Sequence, residues 1–440
     1  MALSALLVGT LCCCAISHAH QEDLIYTNAL ELGSLKQGLL GNDVVRELAD
    51  AAAGKRFIAL GEGDHFVAEK YGYRLAFLRT LVIDQGVRLI AMEIGGSDAR
   101  RIDEFLRTGD EGWLNQVVLY GFRGNTDSER RELSPFPPVP PASCEERFIT
   151  AERSFWKDVH ELSEEARSID GRRIELYGFD FDAKPGGGYR DARDALAQCS
   201  ADPFVDQLRA ALTPPSGSGG RAEIARIRTL AQDFSAARDR LDTSCGDDAA
   251  GIVARDLQLL ALSYEIAIDW SAAGNDLDAQ RARFVRREAL MFERMSLLAQ
   301  LRPGERIVLL GHNLHLCRSS TSLRFGPDGH DRPMWSSVVT ELEQSMPGST
   351  YIVWLLYGEG SRLYPTPEDG CDSLVRLRKG SLEAMLSQQG EQFFLPLRSV
   401  PRGTWIDRKI GFGTPTSYAS GPLRDVVDAI VFSRSAEASR

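Results

Sequence analysis

Four short apolar runs of the sequence each end on a residue whose side chain could carry chemistry. These residues are Glu62, Glu93, Asp180 and His312. Two further histidines, His65 and His315, follow three residues after the first and the last of them. A histidine beside a carboxylate suits a general base that takes a proton from water, because the carboxylate orients the imidazole and stabilises its charged form. The pattern indicates acid–base chemistry.

Other ways of attacking a carbonyl or a phosphate find no support in the sequence motifs. The chain has no G-x-S-x-G nucleophile elbow. It also lacks the H-E-x-x-H metal motif and the G-x-x-x-x-G-K-[ST] phosphate loop. An arginine and further histidines would stabilise an oxyanion that forms on a carbonyl. Water activated by histidine, attacking an ester or similar carbonyl, is the simplest remaining chemistry.

The elements that must position these residues also follow from the sequence. Short β-type runs alternate with stretches of helical periodicity, which predicts an α/β fold with a mostly parallel central sheet flanked by helices. The predicted strands are Arg56–Glu62, Val87–Ile94, Arg173–Asp180, Arg306–His312, Tyr351–Tyr357 and Ala429–Ser433. Ligands of such sheets bind at the carboxyl ends of the strands. A helix N-cap or a solvated loop explains any one of the four residues better, but four at one edge favour a shared site.

Arg74 interrupts an otherwise apolar face of the helix predicted after His65. The apolar residues of that face are Val67, Tyr71, Leu78 and Leu81. A buried guanidinium is costly unless carboxylates or an anion pair with it. Arg74 either extends to water, as long side chains often do, or points into the cluster and pairs with Glu62 or Glu93. The sequence leaves both interpretations open.

Two segments break the alternation of strands and helices. Residues 134–144, SPFPPVPPASC, are dense in proline and predict an extended loop that could cover a site. Residues 188–300 read as mostly helical and predict an insertion between the third and fourth strands.

Composition bounds the class of protein and its partners. The 440 residues include 43% hydrophobic and 26% charged residues, which is typical of a globular protein. A net charge of −11 argues against nucleic acid and anionic membranes as partners. No window after the first residues is long and apolar enough to span a bilayer. A small-molecule substrate is the expected partner, and the oligomeric state is not indicated.

The first residues predict export from the cytoplasm. Residues 1–19 form an apolar stretch that ends in a small-x-small site, which predicts a signal peptide cleaved after Ala19 and a secreted or periplasmic protein. Five cysteines follow, so one or two disulfides with one thiol left over are expected. Cys199 and Cys245 flank a helical stretch and are the preferred pair. None of the five has metal-ligand spacing.

Four segments together resemble the erythromycin esterase family. They are LGEGDHFVAEKYGYR, AMEIGG, GHNLH and RKIGFGTPTSYASGPLRDVVDAIVF. The resemblance runs in order from about residue 38 to residue 434. Its most specific part is a glutamate with a histidine three residues on, an arginine nine residues after that histidine and a second glutamate nineteen further, followed by a distant His-x-x-His.

The resemblance implies roles for individual residues. It implies that His65 is the general base that activates water to open a macrolide lactone, with Glu62 as its carboxylate partner. Glu93 and Arg74 correspond to the other charged groups of the catalytic cleft, and His312 and His315 to a substrate-binding pair on the opposite side. The family implies an α/β core with helical elaboration, no metal and no cofactor, and a link to antibiotic resistance.

Two other hypotheses stay open. Glu62, His65, Glu93 and His312 combine nitrogen and oxygen ligands that suit Zn²⁺ or Mn²⁺, so the chain could be a metal-dependent hydrolase. Alternatively, His312, His315 or His65 could hold haem or a similar small ligand in an exported binding protein.

Overall fold

A computed structural model describes most of the chain. The described residues are 28–117, 142–181, 186–197, 199, 203–213, 220–245, 249–273, 277–326, 332–366, 370–414 and 418–438. The predicted signal peptide, residues 1–19, lies outside them, as does most of the proline-dense segment 134–144.

The chain folds as two compact units. The first comprises Met1–Arg88 and Gly304–Arg440, and the second comprises Leu89–Pro303. The longer strands are, in chain order, β1 Phe57–Glu62, β2 Leu89–Gly95, β3 Glu175–Asp180, β4 Ile307–His312, β5 Thr350–Thr366, β6 Gly370–Val375, β7 Gln392–Pro396 and β8 Ala429–Ala436. All six predicted strands are present, and none starts more than two residues from its predicted start.

The sheet of the first unit is mostly parallel. Its strand order is β7-β8-β5-β1-β4, and β6 pairs with β5. Strands β8, β5, β1 and β4 run parallel to one another, whereas β7 pairs antiparallel with β8 and β6 pairs antiparallel with β5. Every residue of β1 is buried, as expected for a continuous apolar run in a parallel sheet. The register aligns Glu62 with His312 on one side and with Leu355 on the other.

Helices and short antiparallel strands complete the fold. The α-helices are, in chain order, α1 Asn42–Ala51, α2 Glu69–Arg79, α3 Gly96–Thr108, α4 Ala142–Asp170, α5 Gly186–Ala195, α6 Pro203–Ala211, α7 Gly220–Ala236, α8 Arg238–Cys245, α9 Ala249–Ala273, α10 Leu277–Leu301, α11 Val338–Ser345 and α12 Leu382–Leu386. The short strands are Gly33–Ser34, Leu39–Leu40, Arg324–Phe325, Arg332–Pro333, Ile410–Phe412 and Ala419–Gly421. Within the described ranges, no helix is long and apolar enough to cross a bilayer.

The second unit contains the predicted helical insertion. Strands β2 and β3 pair in parallel, and α5 to α10 follow β3 in the chain before β4 begins. Buried apolar residues such as Phe234, Val253 and Leu257 form a core among these helices. Cys199 and Cys245 form the preferred disulfide. The α/β class, the mostly parallel sheet and the helical insertion between the third and fourth predicted strands are therefore confirmed.

Candidate active site

Glu62 and His65 form a hydrogen-bonded pair at the carboxyl end of β1. Glu62 is fully buried, and its Oε1 lies 2.6 Å from His65 Nδ1. A carboxylate only accepts, so Nδ1 carries the proton, and the lone pair of the neutral ring is on Nε2. The His65 side chain is 20% exposed. The pair therefore has the geometry of a general base and the carboxylate that orients it.

Arg74 pairs with the same carboxylate, which decides between the two interpretations of its position. The side chains of Arg74 and Glu62 are both 0% exposed, and Arg74 Nη2 lies 2.7 Å from Glu62 Oε2. Lys70, also fully buried, lies one helical turn before Arg74 on α2. Burial alone would raise the pKa of Glu62, but the charges of Arg74 and Lys70 and the hydrogen bond with His65 outweigh it and lower the pKa to about 2. Glu62 is therefore a carboxylate at neutral pH.

The glycine before Glu62 lets another segment approach the strand closely. A Cβ on Gly61 would lie 2.3 Å from Asn313 Oδ1 and 2.9 Å from Trp354 Cδ1. Asn313 follows His312 directly, and its backbone N–H donates to the Glu62 carbonyl oxygen. The absence of a side chain at position 61 therefore brings the β1 and β4 ends of the site together.

The loop that carries His65 is anchored to β5. Asp64 Oδ1 accepts from the Phe66 backbone N–H at 2.9 Å, and Asp64 Oδ2 pairs with Arg362 Nη1 at 2.6 Å. The Phe66 carbonyl oxygen accepts from Leu363 N–H. Asp64 and Arg362 are both buried. Sequence analysis assigned no role to either residue, and the position of Asp64 inside the GEGDH run is the only signal that could have found the anchor.

His312 lies beside His65, and its protonation follows from its partners. His312 Nε2 lies 3.2 Å from the Gly63 carbonyl oxygen, while Nδ1 accepts from the Leu314 backbone N–H at 3.2 Å. A carbonyl only accepts and an amide N–H only donates, so the neutral His312 ring carries its proton on Nε2. The ring centroids of His65 and His312 are 5.4 Å apart, and those of His312 and His315 are 6.2 Å apart. His315 is 4% exposed.

Glu93 and Asp180 lie in the second unit, where both bind Arg287. Arg287 Nη2 lies 2.7 Å from Glu93 Oε1, and Arg287 Nε lies 3.0 Å from Asp180 Oδ1. Burial of Arg287 would lower its pKa, but the two carboxylates outweigh burial and raise it. Sequence analysis missed Arg287, which lies on α10 within the helical insertion.

Each sequence-predicted site residue therefore has a defined place. Glu62, His65, Arg74 and His312 meet in the first unit, with His315 next to His312; Glu93 belongs to the second unit. Within the described residues, no group of three or more His, Cys, Asp or Glu side chains has a geometry that could hold a metal ion.

Comparison with known proteins identifies the family. The model of the family "Erythromycin esterase" matches residues 82–436. This range includes Glu93, His312 and His315, while Glu62, His65 and Arg74 precede it. No curated protein matches the chain.

Solved structures share the fold at low sequence identity. A protein from Bacillus cereus is 13% identical, with a TM-score of 0.72, over 96% of this chain and 98% of its own. A mutant of the erythromycin esterase EreC in its open conformation is 17% identical, with a TM-score of 0.63, over 94% and 98%. A succinoglycan biosynthesis protein is 15% identical, with a TM-score of 0.66, over 96% and 98%. Because the family model covers most of the chain, the protein belongs to the erythromycin esterase family.

Proposed function

We propose that this protein hydrolyses a carboxylic ester or a macrolide lactone with water activated by His65. The observation that carries the proposal is the 2.6 Å contact between Glu62 Oε1 and His65 Nδ1 at the carboxyl edge of the sheet. Because His65 Nδ1 donates to Glu62, the basic lone pair of the neutral ring is on Nε2, and the His65 side chain is 20% exposed to solvent. Membership of the erythromycin esterase family supports a hydrolase, and the ester or lactone substrate is part of the proposal.

In the proposed reaction, His65 Nε2 takes a proton from water while the water oxygen bonds to the carbonyl carbon. The resulting tetrahedral intermediate collapses, the bond between carbon and the alcohol oxygen breaks, and His65 returns the proton to that oxygen. Glu62 stabilises the imidazolium that forms between the two steps. The products are a carboxylic acid and an alcohol, which remain one molecule if the substrate is a lactone.

Arg74 has a supporting role in this proposal. Its side chain is 0% exposed and forms an ion pair with Glu62, so it holds Glu62 charged and does not touch the substrate. This role replaces the polarisation of the carbonyl considered from the sequence. His312 and His315 are assigned to substrate binding beside His65. The catalytic role of Glu93 stays a prediction, since its side chain is buried and pairs with Arg287 within the second unit.

The experiment is turnover of erythromycin and a panel of simple esters by the purified protein, with and without a chelator. The protein is also analysed for bound metal and for a haem absorption band. The proposal expects hydrolysis of at least one ester or lactone that survives chelation. Stoichiometric metal with chelator-sensitive turnover would favour a metal-dependent hydrolase instead. A coloured protein without turnover would favour a haem-binding protein.

We also propose that residues 1–19 are a signal peptide, on the basis of the sequence pattern alone. The sequencing of the mature amino terminus, after expression of the full chain, tests this. A mature chain that starts at residue 20 in an exported fraction is expected, and a cytoplasmic protein that keeps Met1 would contradict it.

A further inference from the structure

A cavity of about 290 Å³ lies beside strand β3 in the second unit. Its walls come from the start of α3, the middle of β3 and parts of α5, α9 and α10. All of its described lining residues belong to the second unit. None of the residues assigned above to catalysis or substrate binding lines it. Its volume is close to the roughly 300 Å³ at which pockets for small ligands begin.

Three arginines from different helices line this cavity. Arg100 comes from α3, Arg255 from α9 and Arg294 from α10. The side chain of Arg100 is exposed and that of Arg255 is half-buried. Neither of these two forms a hydrogen bond or an ion pair with a described residue. Their guanidinium groups therefore keep their donors for a ligand.

Arg294 is the buried member of the three, and only part of its guanidinium is used. The residue is 6% exposed, and its Nη1 donates to the carbonyl oxygens of Gly178 and Asp180. Its Nε and Nη2 have no hydrogen-bond partner among the described residues, and Nη2, unlike Nε, is not shielded from solvent. A Cβ on Gly96, the first residue of α3, would lie 2.7 Å from Arg294 Nη2. The guanidinium thus lies at the amino end of a helix, which itself attracts anions.

Two of the carboxylates in the cavity wall already have cationic partners. Asp191 Oδ1 lies 3.2 Å from Arg101 Nη2. Asp103 binds Arg173 through both oxygens, at 2.7 and 2.9 Å. Neither Arg101 nor Arg173 lines the cavity. Their charges compensate the two carboxylates, so the wall keeps one other carboxyl, that of Asp256, to balance its three arginines.

Asp256 compensates only part of this positive charge. It forms neither a hydrogen bond nor an ion pair within the described part of the chain. Burial raises its pKa to about 6, and the negative charge of Asp191 adds to the rise, although the three arginines act to lower it. Even with Asp256 ionised, a surplus of two positive charges faces the cavity. A surplus of this kind favours an anion.

The rest of the cavity wall suits an organic group. Leu259, Leu297 and Leu301 line it together with Tyr177. A phosphate group fills only a part of the cavity, so an apolar body attached to it would have room beside these side chains. Pockets for small ligands combine apolar walls with a few polar groups that fix the orientation of the ligand.

We propose that this cavity binds a small organic phosphate, with Arg100, Arg255 and Arg294 around the phosphate group and the leucines against the organic body. Guanidinium groups match the geometry of phosphate oxygens. A phosphate monoester carries close to two negative charges at neutral pH, whereas a carboxylate carries one. The phosphate therefore matches the surplus charge better. This site is separate from the proposed hydrolysis by His65, and either can fail without the other.

The binding experiment titrates three probes calorimetrically into the full chain in a chloride buffer. They are phenyl phosphate, benzoate, which has the same ring with one negative charge, and inorganic phosphate, which has no ring. Phenyl phosphate should bind saturably at one site, and the other two should bind more weakly. The absence of saturable phenyl phosphate binding would overturn the proposal. Benzoate or inorganic phosphate that binds as tightly as phenyl phosphate would also overturn it.

Variants of the arginines locate the bound phosphate. Loss of one charged hydrogen-bond partner predicts that phenyl phosphate binds roughly 10- to 100-fold more weakly to Arg255→Gln. Arg100→Gln should show a loss in the same range, which gives a second test on an exposed side chain. Arg286→Gln is the control that removes the same charge, because Arg286 lies on α10, is 51% exposed and pairs with Asp269 away from the cavity. It should bind phenyl phosphate like wild type, and equal weakening in all three variants would overturn the proposal.

Asp256→Asn tests the sign of the charge that the cavity selects. The substitution removes a negative charge beside the proposed phosphate, so phenyl phosphate should bind several-fold more tightly. Circular dichroism and thermal unfolding establish that each variant is folded. Weaker binding in a folded Asp256→Asn variant would contradict an anion site. The result is independent of ester turnover, which tests His65 alone.

Discussion

At the scale of single residues, Glu62 is a fully buried carboxylate with both cationic and hydrogen-bonding partners. Arg74 and Lys70 provide buried positive charge beside it, and His65 donates to its other oxygen. The three cationic or donor groups share one carboxylate, so the loss of its charge affects all of them. Removal of one partner from a buried ion pair destabilises a protein by more than the intact pair stabilises it, because the remaining charge is buried without compensation.

Glu62→Gln is therefore expected to destabilise the protein strongly. The substitution keeps the shape of the side chain but removes the buried negative charge beside Arg74 and Lys70, which should lower the free energy of unfolding by about 3–5 kcal/mol. Urea denaturation measures the change. Glu104→Gln is the control, because Glu104 forms an exposed pair with Arg107 and should cost less than about 1 kcal/mol. Similar losses in both variants would contradict the buried network.

The low pKa of Glu62 predicts a defined dependence of stability on pH. A carboxyl group whose pKa is lower in the folded state stabilises the fold above its unfolded pKa, and this contribution is lost as the pH falls through the folded value. For Glu62, the loss occurs between pH 4.5 and about 2. Wild type should lose more unfolding free energy than Glu62→Gln across this window. Parallel curves for the two proteins would show that the pKa of Glu62 is not lowered.

The residues that sequence analysis missed share one property, which is the distance of their partners along the chain. Arg362 is 298 residues from Asp64, and Arg287 is 194 residues from Glu93. Such pairs depend on which strands and helices become neighbours, and periodicity does not contain that information. Arg74 was different, because its place on an apolar helical face already made a buried carboxylate partner one of the two interpretations that the sequence left open.

At the scale of elements, β1 is a fully buried strand that another segment approaches closely at Gly61. The strand was predicted almost to the residue because buried parallel strands are continuous apolar runs. The reason for its final glycine was not predictable, since Asn313 and Trp354 reach Gly61 from other strands and loops.

Gly61→Ala tests this packing. The added methyl group would lie 2.3 Å from Asn313 Oδ1, so neighbouring groups must move, at a cost of about 1–3 kcal/mol for an overpacked core. Turnover should also fall, because Asn313 adjoins His312. Gly390→Ala is the control, since its Cβ would meet only Phe393 at 3.5 Å. A Gly61→Ala variant as stable and active as Gly390→Ala would argue against a requirement for glycine.

Other elements were predicted less well, for reasons visible in their residues. Strand β5 continues to Thr366 through GEGSRLYPT, where glycine, charge and proline resemble a loop, and its antiparallel partner β6 was missed with it. Strand β7 was also not predicted. On α2, Tyr73 and Phe77 are fully buried while Tyr71 is half-buried. Tertiary packing therefore widened the buried face beyond the predicted one, of which Val67, Leu78 and Leu81 are fully buried as the apolar spacing indicated.

On the scale of the whole molecule, the helical insertion and its disulfide were both anticipated from the sequence. The insertion has its own apolar core, against which Cys199 and Cys245 pack. The division of the chain into two units was not anticipated. Strands β2 and β3 belong to the same unit as the helices of the insertion, and β1 and β4 belong to the other unit. The family resemblance found in short motifs agrees with a family model that matches residues 82–436.

Removal of the disulfide should weaken the second unit without removing the His65 pair. The double variant Cys199→Ser and Cys245→Ser opens a loop spanning 46 residues, which predicts a loss of about 2–4 kcal/mol in unfolding free energy. Turnover of a small ester should stay close to wild type at a temperature where both proteins are folded. Unchanged stability, measured by denaturant unfolding, would show that the bond is dispensable.

The central claim is that His65 activates water, and the kcat of a His65→Asn variant tests it most directly. His160→Asn is the control, because His160 lies on α4 in the second unit and contacts the Leu106 carbonyl oxygen. Loss of a general base predicts a kcat lower by roughly 100- to 10,000-fold in His65→Asn, with native folding by circular dichroism. The control should keep its kcat. A folded His65→Asn variant that hydrolyses esters at the wild-type rate would contradict the account.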